Sequence, residues 1–354
     1  MKILHTSDIH MESPLGARLG GERLRERKLE LVRTFERMAD EAVYAGCRLF
    51  IIAGDLFDSE RITKRAKERV INIVLSHKEV TFLYLPGNHE KDAFADVVTE
   101  SIPNLSVFGK GWTYFDFDNV TVAGRSEISP DMFDSLTLLP ERKNIVVLHG
   151  ALAERTDGEN IGIREAEGKN IDYLALGHYH SHSVRQIDHR GVAVYSGTPE
   201  PRGFDEAFDC GFVMVECKER VTYSFRSFAK RQLRIIPTDI TGAEDNREVS
   251  DRIKLALQAA HSSDLVRIVL TGKRLIEFYP DIENLVSRYT GSYYYFEIED
   301  KTGIMITPGA YKYDKSLKGE FIRLVLSKDN LTDEEKDRII RCGILALLGE
   351  ESEI

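Results

Sequence analysis

Five short blocks of the chain carry Asp, His and Asn side chains at spacings that suit metal ligation: Asp8-Ile9-His10, Gly54-Asp55-Leu56-Phe57-Asp58, Gly87-Asn88-His89-Glu90, His149-Gly150 and Gly177-His178-Tyr179-His180. Carboxylate oxygens, imidazole nitrogens and an amide oxygen are hard-to-borderline donors that suit manganese, iron or zinc, and they exclude an all-cysteine site. Two cations held close together need a shared ligand. A carboxylate with two oxygens is the natural bridge, a role assigned here to Asp55. Asp8, His10 and His180 are then expected around one divalent ion, and Asn88, His149 and His178 around the other. Two such ions bring roughly +4, Asp8 and Asp55 about −2 and a shared hydroxide about −1, leaving about +1 for one phosphodiester anion. The chemistry this suits is metal-assisted phosphoester cleavage by in-line attack of an activated water. His89, beside a ligand but not itself assigned as one, is expected to protonate the leaving oxygen or stabilise the transition state. Asp58 is expected to accept a hydrogen bond from His89 and fix its tautomer.

Elements must bring these blocks together. Each follows a short apolar run that reads as a strand buried on both faces: Ile3-Leu4, Leu49-Phe50-Ile51-Ile52, Phe82-Leu83-Tyr84-Leu85, Ile145-Val146-Val147-Leu148 and Tyr173-Leu174-Ala175-Leu176. Strand ends converge in space, so ligands far apart in sequence can meet there. Val32, Phe35, Ala39, Ala42 and Val43 recur at helical spacing, as do Ala66, Val70, Ile73 and Val74. Hairpins are expected around Asp118-Asn119, around His189-Arg190-Gly191 and through 211–228. This order predicts an α/β fold, a layered α/β/β/α sandwich with helices outside, over residues 1–228. A smaller αβ domain is expected over 229–312, with strands near 233–240, 265–271 and 293–296 and a helix near 246–261. A helical hairpin is expected over 313–354, its second helix opened by a capping box of Thr332 and Glu335. That last segment is the candidate partner-binding region.

The chain has 354 residues, 42% of them apolar, and a formal net charge of −10. That sum argues against indiscriminate adhesion to nucleic acid, but the charge is unevenly distributed. Residues 60–78 carry Arg61, Lys64, Arg65, Lys67, Arg69 and Lys78 against Glu60 and Glu68, a helix that either presents a solvated face or meets a phosphate backbone. There is no run of 18 apolar residues and no signal-peptide pattern, so the expectation is a cytoplasmic protein with no membrane association. Cys47, Cys210, Cys217 and Cys342 lack C-x-x-C spacing and read as reduced thiols. His5, inside the first strand, reads as a core histidine, whereas His77, His189 and His261 are expected to be exposed.

At the five blocks the chain resembles the calcineurin-like metallophosphoesterases. Ile3-Leu4-His5-Thr6-Ser7-Asp8-Ile9-His10, Gly54–Asp58, Leu176–His180 and Tyr195-Ser196-Gly197-Thr198-Pro199-Glu200 look like the SbcD-like DNA repair nucleases within that group. The likeness is strong over 1–228 and loose beyond. It implies a Mn²⁺-dependent exonuclease with some single-strand endonuclease activity, working on DNA with an SbcC-like coiled-coil ATPase. It also implies a homodimer formed through helices of the catalytic domain, and a capping domain that helps hold DNA. The family's ligand roles would fall on Asp8, His10, Asp55, Asn88, His149, His178 and His180, and its catalytic histidine on His89. Asp58 stands where archaeal and eukaryotic relatives commonly have His, so the form looks bacterial. The loop Ser59–Thr63 lacks the prolines often seen in relatives. A phosphodiesterase or phosphatase acting on nucleotides or other small phosphoesters is the alternative, because such a site is indifferent to what the phosphate carries.

Overall fold

The computed structural model describes residues 1–15, 19–98, 102–157, 160–275, 278–305, 311 and 313–348, without the side chains of 345 and 348. Two compact units emerge, Met1–Leu233 and Arg234–Ile354.

The strands of the first unit are β1 (Lys2–Thr6), β2 (Leu49–Ala53), β3 (Thr81–Leu85), β4 (Leu105–Val107), β5 (Thr113–Phe117), β6 (Val120–Gly124), β7 (Lys143–His149), β8 (Ala151–Ala153), β9 (Asn160–Gly162), β10 (Tyr173–Gly177), β11 (Ser183–Gln186), β12 (Val192–Tyr195), β13 (Gly211–Cys217) and β14 (Val221–Ser227). They form two six-stranded sheets, ordered β14-β13-β1-β2-β3-β4 and β11-β12-β10-β7-β6-β5, with β8 and β9 as a separate pair. The three expected hairpins are β5–β6, β11–β12 and β13–β14, all antiparallel. Strands β1 to β4 run parallel, as do β6, β7, β10 and β12.

Alternation along each strand decides the layers. In β1 to β3, Ile3, Leu49, Ile51, Ala53, Leu83 and Leu85 face the second sheet, meeting Val122, Ile145, Val147, Tyr173 and Ala175 in the central core. The intervening Leu4, Phe50, Ile52, Phe82 and Tyr84 face outward onto α1 (Gly21–Tyr44) and α2 (Lys64–Ser76). The expected helical stripes do the covering: Phe35, Ala39 and Ala42 of α1 and Ala66, Val70, Ile73 and Val74 of α2 are buried. Val43 is not; it is 38% exposed on the far side of α1. Outward residues of the second sheet, among them Val146, Leu148, Leu174 and Leu176, are covered by α3 (Ile163–Ala166) and by Met132, Phe133, Leu136 and Leu138. The architecture is the α/β/β/α sandwich, its second outer layer thin and mostly irregular.

The second unit holds a three-stranded sheet of β15 (Leu233–Asp239), β16 (Leu265–Thr271) and β18 (Tyr295–Asp300), with a smaller pair, β17 (Lys273–Leu275) and β19 (Gly303–Met305). Helices α4 (Asn246–Ala256) and α5 (Ile282–Tyr289) share a core with it through Val249, Ile253, Leu285, Val266 and Ile268. The aromatic run begins the strand two residues later than its composition predicts, and the Tyr294 N–H donates to the Asp264 carbonyl in the turn that precedes β16. Tyr293 stacks on Phe296 at 5.8 Å, an ordinary packing contact. Helices α6 (Leu317–Leu326) and α7 (Asp333–Leu348) form a helical pair over a small core that includes Ile322, Val325, Ile340 and Ile344. Its capping box is reciprocal: the Thr332 N–H donates to Glu335 at 2.8 Å and the Glu335 N–H to Thr332 Oγ1 at 3.3 Å. The acidic end of the expected 313–354 segment, from 349 onward, lies outside the described residues. Among the described residues, no helix is long and apolar enough to cross a membrane.

Candidate metal centre

The carboxyl ends of β1, β2, β3, β7 and β10 and the loops that leave them carry every candidate ligand, His149 being the last residue of β7, and hydrogen bonds tie these segments together. The Asp8 N–H donates to the Gly54 carbonyl at 3.1 Å and the His10 N–H to the Asp55 carbonyl at 2.9 Å. Across the sandwich, the His178 N–H donates to both Asp8 oxygens at 2.9 and 3.1 Å, and His149 Nδ1–H donates to the Ala53 carbonyl at 2.9 Å. Asp8, His10, Asp55 and His178 all have positive φ, at 52°, 48°, 50° and 103°. Each such residue costs on the order of 1–3 kcal/mol, and clustered strain of this kind marks sites where the surroundings force a geometry. Glycine permits the approach where side chains would block it: a Cβ on Gly87 would lie 2.1 Å from Asp55 Oδ1, and one on Gly54, at φ +88°, 2.1 Å from His149 Nδ1.

Asp55 is the hub. It is 2% exposed; its Oδ2 lies 3.2 Å from His149 Nε2 and 3.7 Å from His10 Nε2, while its Oδ1 accepts the His89 N–H at 3.1 Å. Potential ligand atoms gather within 4.8 Å of one another in Asp8, His10 and His180, in Asp8, Asp55 and His149, and in His10, Asp58 and His89. The first set is the one expected for one ion. Asn88 Oδ1 lies 2.8 Å from His149 Nε2, which joins two of the ligands expected for the other. Asp8, expected at one ion only, stands within reach of both sets. His178 falls in none of these sets among the described residues; its ring stands edge-on to that of His149, 5.5 Å away.

Asp58 departs from expectation. His89 Nδ1–H donates to the main-chain carbonyl of Asp58 at 3.1 Å, not to its carboxylate, which lies 3.1 Å from His10 Nδ1 and 3.4 Å from Arg202 Nη1. The Asp58 N–H donates to the Met11 carbonyl, which pins the turn with its side chain toward His10 and its carbonyl toward the 88–89 turn.

The donor set fits divalent cations. With Nδ1–H committed to Ala53, His149 directs Nε2 at two oxygen acceptors, so the three atoms need a positive charge among them, from a proton or a metal ion. Burial opposes charge on His149, but the hydrogen bond and negative charge of Asp55 raise its imidazole to about 9. Burial likewise disfavours the Asp55 anion, and His149 and His10 nevertheless hold it well below the usual carboxylate range. Burial holds His10 below its ordinary value despite Asp58, and neither of its buried ring nitrogens makes a well-formed hydrogen bond among the described residues, although the Asp58 carboxylate stands 3.1 Å from Nδ1. His89 has a side chain 43% exposed, its Nε2 4.0 Å from Asp55 Oδ2, and so can meet a ligand from outside. A cleft of about 700 Å³ opens past Asn88, His149 and His178 to Lys91 and Lys110.

Residues 1–210 match the family model described as calcineurin-like phosphoesterase. The chain belongs to that family. Members use a dinuclear divalent-metal centre, for which the described residues supply candidate ligand groups. The chain is similar to proteins named DNA double-strand break repair protein Mre11. That of Methanopyrus kandleri is 26% identical over 72% of this chain and 62% of its own length. That of Sulfurisphaera tokodaii is 27% identical over 56% and 54%, and that of Methanosarcina acetivorans 25% over 69% and 41%. The chain thus spans between 41% and 62% of the length of these curated relatives.

Three groups that shape this phosphoesterase site escape a reading of the blocks. Glu206 accepts from His180 Nδ1 at 2.8 Å, which raises His180 above its ordinary value, and Arg202 Nη2 lies over the same ring, 2.9 Å from Nδ1 and 3.4 Å from Nε2. Burial would raise Glu206, but His180 and Arg202 hold it at about 2. Arg202 spans Glu206, at 2.5 Å, and Asp58. Glu90, within a recognised block, ties two loops together by accepting from the N–H groups of Leu56 and Gly87 and from the Tyr84 hydroxyl. Nothing in the spacing flags Glu206 or Arg202. Of the other histidines, His5 is buried against the Tyr173 hydroxyl at 2.8 Å, as expected of a core residue, and burial lowers it to about 3. His77, expected to be exposed, is 8% exposed, with Nδ1–H donated to the Ile73 carbonyl that ends α2 and Nε2 3.0 Å from Asp40.

Proposed function

We propose that the chain is the catalytic subunit of a metal-dependent DNA repair nuclease, an exonuclease with some single-strand endonuclease activity. The observation that carries the reading is the gathering of Asp8, His10, His149, Asn88 and His180 around a buried Asp55, with the half-exposed His89 standing 4.0 Å from the same carboxylate. The names of the relatives support DNA as substrate.

Asp8, His10, His180 and Asp55 would hold one divalent cation, and Asp55, Asn88, His149 and His178 the other; the donors suit manganese, iron or zinc, and the family resemblance favours manganese. Bound there, the cations would acidify the attacking water and neutralise charge on the phosphate oxygens. The protein does the rest. Ala53 holds the His149 tautomer through its carbonyl, and Glu206 does the same for His180. The Asp58 carbonyl takes Nδ1–H of His89, so Nε2 is the nitrogen turned to the substrate; as the imidazolium, with a proton on both nitrogens, His89 would pass its Nε2 proton to the leaving oxygen or stabilise the transition state. The Asp58 carboxylate orients His10.

The same proposal assigns residues 229–312 to a capping domain that helps hold DNA and 313–354 to the docking of an SbcC-like coiled-coil ATPase. It assigns homodimerisation to helices of the catalytic domain, and the action of the enzyme to the cytoplasm. Assays with Mn²⁺ on linear duplex DNA, a small chromogenic diester and a mononucleotide test the central claim. DNA degradation is expected, and His89→Ala should lower it about 10²–10⁴-fold with metal content retained. Hydrolysis of the small esters alone would overturn the nuclease and leave a small-phosphoester hydrolase.

A further inference from the structure

A second concavity, of about 390 Å³, lies between α1 and α2, apart from the metal-side cleft. Arg25 and Lys28 enter it from α1 and Arg65 and Arg69 from α2, above a floor that includes Leu29 and Val32. Among the described residues, none of the four cations has a hydrogen bond or ion pair. The acids near them are engaged elsewhere: Glu30 and Glu26 with Arg231, Glu68 with Lys64 and Glu60 with Lys91. Glu12 also lines the groove, but its two oxygens accept from the N–H and hydroxyl of Thr63 at 3.0 and 2.8 Å.

This arrangement works against the helices that carry it. Arg25 and Lys28 are spaced i,i+3, and Arg65 and Arg69 i,i+4, so each pair is repulsive at helical spacing. Arg65 also stands in the first turn of α2, where the helix dipole favours acids and no acid is present. Four cations facing the single carboxylate of Glu12 leave the groove positive on a chain of net charge −10, which calls for an anion from outside. The lining includes Met11, one residue beyond His10, so a polyanion lying in the groove would run close to the metal centre. Two cations on each wall, over an apolar floor, match a chain of phosphates that carries apolar sugar faces between them.

We propose that this groove binds the sugar-phosphate backbone of the DNA flanking the cleaved bond, independently of its sequence. The assignment rests on the nuclease reading above, and the test separates the two. Binding of fluorescent duplex DNA by full-length protein in EDTA is measured across a salt series for wild type, for the quadruple Ala variant at Arg25, Lys28, Arg65 and Arg69, and for a variant with Lys at the three arginines. Hydrolysis of a small chromogenic diester with Mn²⁺ is measured alongside. The Ala variant is expected to bind DNA at least tenfold more weakly at low salt. Its slope of log K against log salt should be shallower by about 2–4, at about 0.9 for each phosphate that is no longer neutralised. It should hydrolyse the small diester as wild type does, and the Lys variant should bind DNA within a few-fold of wild type. Wild-type DNA affinity and salt slope in the Ala variant would overturn the groove, as would a changed oligomeric mass in light scattering with DNA affinity unaltered. If wild type hydrolyses the diester but neither binds nor cuts DNA, the nuclease reading itself fails.

Discussion

Glu206 is the residue whose replacement tests most directly how the site is held. It is 2% exposed and accepts from His180 Nδ1 at 2.8 Å, from the Arg202 N–H at 2.6 Å and from Arg202 Nε at 3.0 Å. Alanine there removes all of these at once and leaves the Arg202 guanidinium, 13% exposed, with Asp58 at 3.4 Å as its remaining acid. Breaking a buried pair from one side costs about 3–5 kcal/mol, so Glu206→Ala should lower the melting temperature sharply. Glu206→Gln is the sharper probe, because the amide keeps an acceptor oxygen for His180 while it loses the charge and gives up the acceptor that faces the Arg202 N–H. A carboxylate that orients a ligating histidine is worth about 10–100-fold in metal affinity or turnover. We expect Glu206→Gln to weaken one Mn²⁺ site by about tenfold and to leave the other within twofold. Calorimetric titration of chelated protein with Mn²⁺ reads both sites, and turnover of a small diester at saturating metal reads the geometry. Wild-type affinity at both sites, with wild-type turnover, would refute the claim that Glu206 positions His180.

Three further perturbations follow from the same geometry. Gly87→Ala would put a methyl group 2.1 Å from Asp55 Oδ1 and 2.2 Å from its main-chain nitrogen. Backbone cannot yield there, and a displacement of about 1 Å costs roughly 10²-fold, so turnover should fall by at least that much in a protein that still folds by circular dichroism. Saturating Mn²⁺ should stabilise the chelated protein, by about 2.7 kcal/mol at one hundred times the dissociation constant; an unshifted unfolding midpoint would count against any bound ion. Glu30, buried and bonded to Arg231, Lys230 and Arg27, is held at about 2 against an ordinary 4.5, although burial alone would raise it. A depressed carboxylate stabilises the fold fully above the unfolded value and loses that contribution as pH falls through the folded one. The difference in unfolding free energy between wild type and Glu30→Gln, measured in chelator, should therefore shrink by about 3 kcal/mol between pH 5 and pH 2. A constant difference over that range would refute it.

Much of the first unit is legible in the sequence because strands buried on both faces announce themselves as unbroken apolar runs. Phe50 and Ile52 face one way, Leu49 and Ile51 the other, and no polar position interrupts them. The second unit is harder. Helix α5 escapes a reading of the sequence although Asp281 caps it, accepting the Asn284 N–H at 3.0 Å, and Ile282, Leu285 and Tyr289 share its inner face. The helix is short, and its apolar residues sit among turn-forming ones. Strands β17 and β19 have three residues each, too few for a period to register. The burial of His77 is equally hidden, because it depends on the chain ending α2 just there, which Asn104 enforces from far along the sequence by donating to the Val74 and His77 carbonyls.

The site divides along the same line. Its candidate ligands are readable because each lies within a few residues of a strand end, where register alone fixes position: Thr6 pairs with Ile52 and Ile52 with Tyr84, so the loops that follow emerge side by side. Glu206 and Arg202 reach the site by another route. They sit in an irregular return between β12 and β13, and that return is fastened to α1 by Glu200, which accepts from Arg27 at 3.0 Å and Thr34 at 2.9 Å. No local pattern encodes such a fastening, because it exists only once both ends of the chain are in place. Residues set by strand register inherit the rigidity of two sheets, which is what holds Asp8, His10, Asp55 and His178 at positive φ. Residues set by the return depend on one buried charge cluster, so damage at Arg27 or Glu200 should loosen His180 while Asp55 and His149 keep their places.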